Sequence, residues 1–236
     1  MPVLEIACFG VKAGLDATDP GTAEGRIAHE VLAKAVRQPG AHTAYLAHSI
    51  ENPTQVWHLM GWDSVEAHRA WRSHPDNAEI KQGLEAAFID PSAGPSFVKH
   101  MAVEPFPAEV LDGAKAGVVE VLAAYFPAST TAGERAGISG VFRDFAAGAL
   151  PASPDFRGAS MGWGVESDFP LPGDGGGGGG GARFAAHFAL IGWTSVEGHQ
   201  KFRETEVFKG SIGSLRALPG LVKMSVCHIR CKAIGA

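Results

Sequence analysis

The sequence predicts an α+β fold in which one βαββαβ module occurs twice. Three observations predict it: a twelve-residue segment that recurs in the second half, the same order of strands and helices around both copies, and a Pro-Phe-Pro stretch between them. A repeat sought before individual elements constrains the whole architecture.

The segment 61–72, GWDSVEAHRAWR, aligns without gaps with 192–203, GWTSVEGHQKFR, with seven identities in twelve. Trp71 against Phe202 keeps an aromatic. The flanks then recur in order. Apolar runs at 3–11 and 118–126, bounded by Gly or Pro, predict a first strand in each half. Helices are expected over 22–37, before Pro39-Gly40, and over 133–149, before Pro151.

Strand pairs follow at 42–50 with 55–62 and at 160–167 with 183–193. The repeated segment opens the next helix, and Asp63 and Thr194 take the N-cap position, each with a glutamate three residues on (Glu66, Glu197). These helical stretches continue through 78–88 and 207–218, and strands at 97–103 and 221–229 close the halves. The order β-α-β-β-α-β is the ferredoxin-like split βαβ motif. A four-stranded sheet covered by helices on one side leaves its other face exposed, and a second such sheet would cover it. The expectation is therefore two ferredoxin-like βαββαβ modules forming an intramolecular, pseudo-dimeric α/β barrel: a first module at 1–104, a linker at 105–116 and a second module at 117–236. The run from Gly173 to Gly181 lacks the Lys-Ser/Thr or helix start of a phosphate loop and is expected to be a flexible hairpin insertion.

Composition narrows the function. The 236 residues are 45% apolar and 19% charged, ordinary for a globular chain. A net charge of −5, with basic residues scattered singly, argues against nucleic-acid binding. No apolar run reaches the roughly 20 residues of a spanning helix, and the start lacks a signal peptide's basic head, so no membrane association and a cytoplasmic location are expected. Three cysteines, Cys8, Cys227 and Cys231, suit a reducing compartment better than a disulfide framework.

Candidate chemistry centres on histidine. Alternation places Val56, His58, Met60 and Trp62 on one face of their strand, and His187, Ala189, Ile191 and Trp193 on one face of the corresponding strand. An imidazole beside an indole on an apolar face suits a general base, though a core histidine satisfied by hydrogen bonds is the plainer alternative. His68 and His199 share helix faces with Trp71 and Phe202, and their presence in both halves favours a shared structural duty. Tyr45 and Tyr125 are the two tyrosines, and a buried phenol would donate to a substrate oxygen. Arg72 and Arg203 would orient an anionic group. Ten histidines raise the question of metal, but no HxH, HxxxH or HExxH spacing occurs. No metal site is expected.

The strand-end tryptophan leading into a helix with an aligned His, an aromatic and a later Phe (Trp193, His199, Phe202, Phe208) resembles the antibiotic-biosynthesis-monooxygenase group of the dimeric α/β-barrel superfamily. The resemblance spans both halves and is clearer in the second. It implies a pocket between sheet and helices, lined by Trp62, His58, His68, Trp71 and Met60 in one half and by Trp193, His187, His199 and Phe202 in the other. It also implies a small apolar or aromatic ligand, cofactor-independent oxygenation or cyclisation of an aromatic or polyketide-like metabolite, and no cofactor. The haem-degrading members' Asn, Trp and axial His set is not found. His58 is the first choice of base, with Tyr45 or His68 orienting substrate. The alternative is a non-catalytic pocket protein or stress-related scaffold, and further homodimerisation is left open.

Overall fold

The computed structural model describes residues 2–94, 96–172 and 182–234. The expected glycine-rich insertion at 173–181 lies outside the described residues. The chain divides into two compact units, one holding the residues before Ala102 and from Ile229 onward, the other holding Ala102–Leu171 and Ala182–His228. Both units carry the βαββαβ order, as the sequence predicts.

In the first unit the order is β1 (Val3–Gly10), α1 (Ala23–Val36), β2 (Ala41–Ser49), β3 (Gln55–Trp62), α2 (Val65–Arg72), α3 (Pro75–Ala87) and β4 (Phe97–Glu104). β1 lies antiparallel between β3 and β4, which sets Glu5 opposite Met60 on one side and His100 on the other. β2 pairs with β3 and carries the chain's last residues on its other edge, Ala44 against Ile234 through Ser49 against Ile229. Alternation sends Val3, Ala44, Leu46, Val56, Met60 and Trp62 to the helix side, where they pack on Ala28, Leu32, Val65, Trp71 and Ile80. Pro75 at the first position of α3 cannot extend α2, and His74 caps the new helix through the Asp76 amide.

In the second unit a short helix, α4 (Ala108–Leu111), precedes β5 (Val118–Pro127), α5 (Ala132–Gly148), β6 (Phe156–Gly164), β7 (Phe184–Trp193), α6 (Val196–Glu204), α7 (Glu206–Arg216) and the first half of β8 (Lys223–Ile234), whose residues from Ile229 onward belong to the first unit. β7 lies between β5 and β6. The helix side gathers Val118, Leu122, Phe126, Ile191 and Trp193 against Phe142 and Phe145 of α5, Phe202 of α6 and Leu215 of α7. α5 begins at a reciprocal capping box, Thr131 with Glu134.

Three sequence expectations shift. The caps of α2 and α6 are Ser64 and Ser195, whose hydroxyls accept from the Ala67 and Gly198 amides. Asp63 and Thr194 stand one residue earlier and serve other partners: Asp63 accepts from His42, and Thr194 bonds the Asp155 carboxylate. Strand β6 begins at Phe156 rather than 160, because Gly158 at φ +120° absorbs a bulge that would end the strand with any other residue. β8 runs five residues beyond its expected end. Its exposed Arg230 and Lys232 alternate with buried Ile229 and Cys231, the two faces of a strand that continues to Ile234.

Candidate functional site

Each unit contains the same four buried polar side chains. In the first, Glu5 is the third residue of β1, on the helix side, Trp62 ends β3, His68 lies on α2 and His100 on β4. The Trp62 Nε1–H donates to Glu5 Oε2 at 2.8 Å, and His68 Nε2 lies 3.4 Å from the same oxygen. His68 Nδ1 meets His100 Nε2 at 2.7 Å. In the second unit Trp193 Nε1–H donates to Glu120 Oε2 at 2.9 Å, His199 Nε2 lies 3.4 Å from that oxygen, and His199 Nδ1 meets His228 Nε2 at 2.8 Å. His68 and His199 stack on their tryptophans at centroid distances of 5.0 and 4.9 Å.

Two facing imidazole nitrogens require one N–H and one lone pair, so the two rings of each pair cannot both be imidazolium. With His199 Nε2–H directed at Glu120, its Nδ1 accepts from His228 Nε2–H; the first unit allows the same pattern. Burial pulls His68 down to about 4 despite the opposing charge of Glu5, which keeps the ring neutral at neutral pH. Burial pushes Glu120 up to about 7, against the lowering effects of the Trp193 bond and the Arg203 charge. A carboxyl that is half ionised near neutral pH can give or take a proton there.

The surroundings of the two quartets differ. Beside Glu120, a cavity of about 140 Å³ is walled by Leu122, Phe145, Ile191, Phe202, Phe208 and Met224, with Trp193 and His199 on its lining and Arg203 and Arg216 where it opens. An outer groove of about 530 Å³ shares Arg203, Phe208, Ile212 and Arg216 with it. In the first unit, the cavity that includes His58 measures about 40 Å³ and is walled by Phe9, Leu32, Leu46, Val56 and Phe88. That is little more than the share of one water in the liquid, whereas about 150 Å³ admits a benzene ring.

The structure brings His58, His68 and Trp62 together around Glu5: His58 Nδ1 is 3.7 Å from Glu5 Oε1, and burial lowers its basicity. Its Nε2 has no hydrogen-bond partner among the described residues. Met60 packs beside them in the core, and Trp71 stacks on His74 at 5.7 Å. Tyr45 is buried but alternates to the opposite face of the sheet from Leu46, which is paired with His58, so the sheet separates Tyr45 from that ring. In the second unit, Trp193, His199 and Phe202 line the cavity, while His187 stands apart from it. His187 stacks on Phe142 at 4.1 Å with Trp163 edge-on at 5.2 Å, its ring nitrogens lack partners among the described residues, and burial holds it down to about 3.

Sequence reasoning misses Glu5, His100, Glu120 and His228. Their signal is present: a single glutamate in an otherwise apolar first strand (VLEIA, VVEVL) and a histidine in each closing strand (VKHMA, VCHIR). The repeat also differs in a compensating way. Ala7 pairs with His58 where Leu122 pairs with Ala189, and Phe9 with Val56 where Ala124 pairs with His187. Likewise Gly40 faces Ala67 where Asp155 faces Gly198. Among the described residues, no group of three or more His, Cys, Asp or Glu side chains is placed to hold a metal ion.

The antibiotic biosynthesis monooxygenase family matches residues 22–83. The match lies within the first unit and covers less than half of the chain. The match takes in α1 through most of α3, including Trp62, His68 and Trp71, whereas the sequence resemblance is clearer in the second half. No curated protein matches the chain. Among solved structures, a proposed monooxygenase from Fusobacterium nucleatum superposes with a TM-score of 0.60 at 10% identity, over 99% of this chain and 94% of its own. An anthrone oxidase-like protein gives 0.61 at 14% identity, over 100% of this chain and 94% of its own. A proposed monooxygenase from Lactobacillus acidophilus gives 0.55 at 10%, over 99% and 95%. At these identities the likeness is one of fold. No helix among the described residues is long and apolar enough to cross a membrane.

Proposed function

We propose that the second unit's cavity is the active site of a cofactor-independent oxygenase, in which Glu120 removes a proton from an aromatic or polyketide-like compound. The observation that carries this is one buried carboxyl, set near neutral pKa, on the wall of a cavity that admits an aromatic ring. His199 lies against the same carboxylate oxygen and backs its proton transfers, with His228 behind it. The apolar walls keep the resulting carbanion from water. An activated methylene loses a proton to Glu120, its carbanion forms a carbon–oxygen bond with dioxygen, and the peroxide anion takes the proton back. The O–O bond then breaks as the second C–H proton leaves, releasing water and leaving a ketone, so that one methylene and one dioxygen give one carbonyl and one water. The matched family and the fold shared with proposed monooxygenases support this reaction class. Cysteines outside any disulfide suit a reducing compartment, and we place the reaction in the cytosol.

His58, expected from sequence as the base, has the smaller cavity, and we assign it packing in the first unit's core. A second reading, a non-catalytic binder, draws on the identity of the two quartets: a motif kept in both units fits a tie between sheet and helices. Oxygen uptake separates them. With anthrone as probe, the wild-type chain should consume one dioxygen per anthrone oxidised, Glu120→Gln should abolish uptake, and His58→Gln should retain it. Uptake unchanged in Glu120→Gln would overturn the proposal, and binding without uptake in the wild type would favour the second reading.

A further inference from the structure

Two guanidinium groups stand at the cavity's opening, and one of them, Arg203, also acts electrostatically on Glu120. Arg203 on α6 and Arg216 on α7 both line the inner cavity and the outer groove, and neither has an ion pair or hydrogen-bond partner among the described residues. The other charges of the groove are Glu204 and Lys209, and Lys209 is already held by Glu206 at 2.8 Å. Phe208, Ile212 and Arg216 recur every four residues along α7, so one helix face carries two apolar side chains inward and a guanidinium at its end. On α6, Phe202 faces the cavity and its neighbour Arg203 spans cavity and groove. Two guanidinium groups at the rim of an apolar chamber are suited to a carboxylate whose hydrophobic body enters the chamber.

Resting on the cavity assignment above, we infer that the ligand is an aromatic carboxylate, its ring enclosed beside Glu120 and His199 and its anionic group held by Arg203 and Arg216. The acid group then lies at the rim, away from Glu120, whose own negative charge would repel it. Glu204 on the same groove disfavours a second carboxylate, so a monoanion is preferred over a dianion. The volumes agree: one ring fills the inner chamber, and further rings extend along the groove toward Gln200.

Calorimetric titration of the full chain with 2-naphthoate and with its methyl ester tests this. The acid should bind at least about tenfold tighter than the ester in low salt, and the preference should shrink as salt is raised. Arg203→Gln and Arg216→Gln should each erase most of that preference and leave ester affinity unchanged; both positions are exposed, and thermal melts of the variants report their folding. Equal affinity of acid and ester, or a preference surviving in both variants, overturns the assigned carboxylate and leaves the cavity assignment standing. Failure of acid and ester alike to bind overturns both.

Discussion

Trp193 donates its indole N–H to the buried carboxyl of Glu120 at 2.9 Å, a bond that joins the end of β7 to the first part of β5. It is repeated in the first unit by Trp62 and Glu5 at 2.8 Å. A glutamate this deeply buried needs such a donor, because an unpaired buried polar group costs free energy. Replacing Trp193 by Phe keeps most of the ring volume and removes the donor. Stability should fall by about 1–3 kcal/mol, and the Glu120 pKa should rise further, since the lost bond favours the ionised form. Urea denaturation and carboxyl titration by infrared difference spectroscopy measure the two effects.

Glu120 and His68 give opposite pH dependences. Glu120 is raised from 4.5 to about 7, so its folded form binds its proton more tightly than the unfolded chain does. Its contribution is full below pH 4.5 and is lost as pH rises through about 7. His68 is lowered from 6.5 to about 4, so its contribution is full above pH 6.5 and is lost as pH falls through about 4. Each shift corresponds to a contribution on the order of 3 kcal/mol. Glu120→Gln should therefore flatten the decline in stability between about pH 5 and 8, and His68→Asn should flatten the acid-side decline. Denaturant midpoints from about pH 3 to about pH 8 decide both.

The same carboxyl predicts a rate profile. With Glu120 as base in the ionised form, kcat/KM for the probe substrate should rise with pH to a plateau, with a midpoint near 7. A carboxylate removed by Glu120→Gln should take that limb with it, whereas His58→Gln should leave the midpoint in place.

The compensating pairs predict strong coupling. Ala7→Leu places a larger side chain directly across from His58 and should cost about 1–3 kcal/mol. His58→Ala alone leaves a hole. Together the two changes reproduce the Leu122 and Ala189 pair of the second unit, and the double variant should be more stable than the sum of the single losses by at least about 1 kcal/mol. A double-mutant cycle in urea measures it.

Gly198 should not tolerate alanine. A Cβ there would meet Asp155 side-chain atoms at 2.7 Å, and Asp155 is held by Thr194. Displacing it loosens the start of α6, so thermal stability should drop. At the matching place in the first unit Ala67 stands opposite Gly40. Gly198→Ala with Asp155→Gly should recover part of the loss.

The fold is legible in the sequence because its signals are local. Alternation marks β3 at 55–62, and the Gly-Trp pair followed by Ser-Val-Glu marks the turn from strand into helix in both halves. Even there the cap falls one residue late, since Asp63 and Ser64 are equally good cap residues and Asp63 is instead engaged by His42 from 21 positions away. The site is less legible for the same reason. Glu5 and Glu120 look like outward-facing strand residues until partners 57 and 73 positions distant are brought to them. His68 and His199 are recognisable as a repeated pair, but the rings that complete them, His100 and His228, come from the closing strands. His58 attracts attention as an imidazole beside an indole, and nothing local reports the volume of the space around it.

The paired differences between the halves bear on how the chain can be recombined. Pasting residues 118–125 in place of 3–10 would preserve the strand, its glutamate and its alternation, yet bring Leu122 against His58 and Ala124 against Val56. One spot in the sheet would be overfilled and its neighbour left hollow. The corresponding strands of the two units are thus parts that do not fit each other's sockets, and a hybrid would need at least two neighbouring strands transplanted as a set.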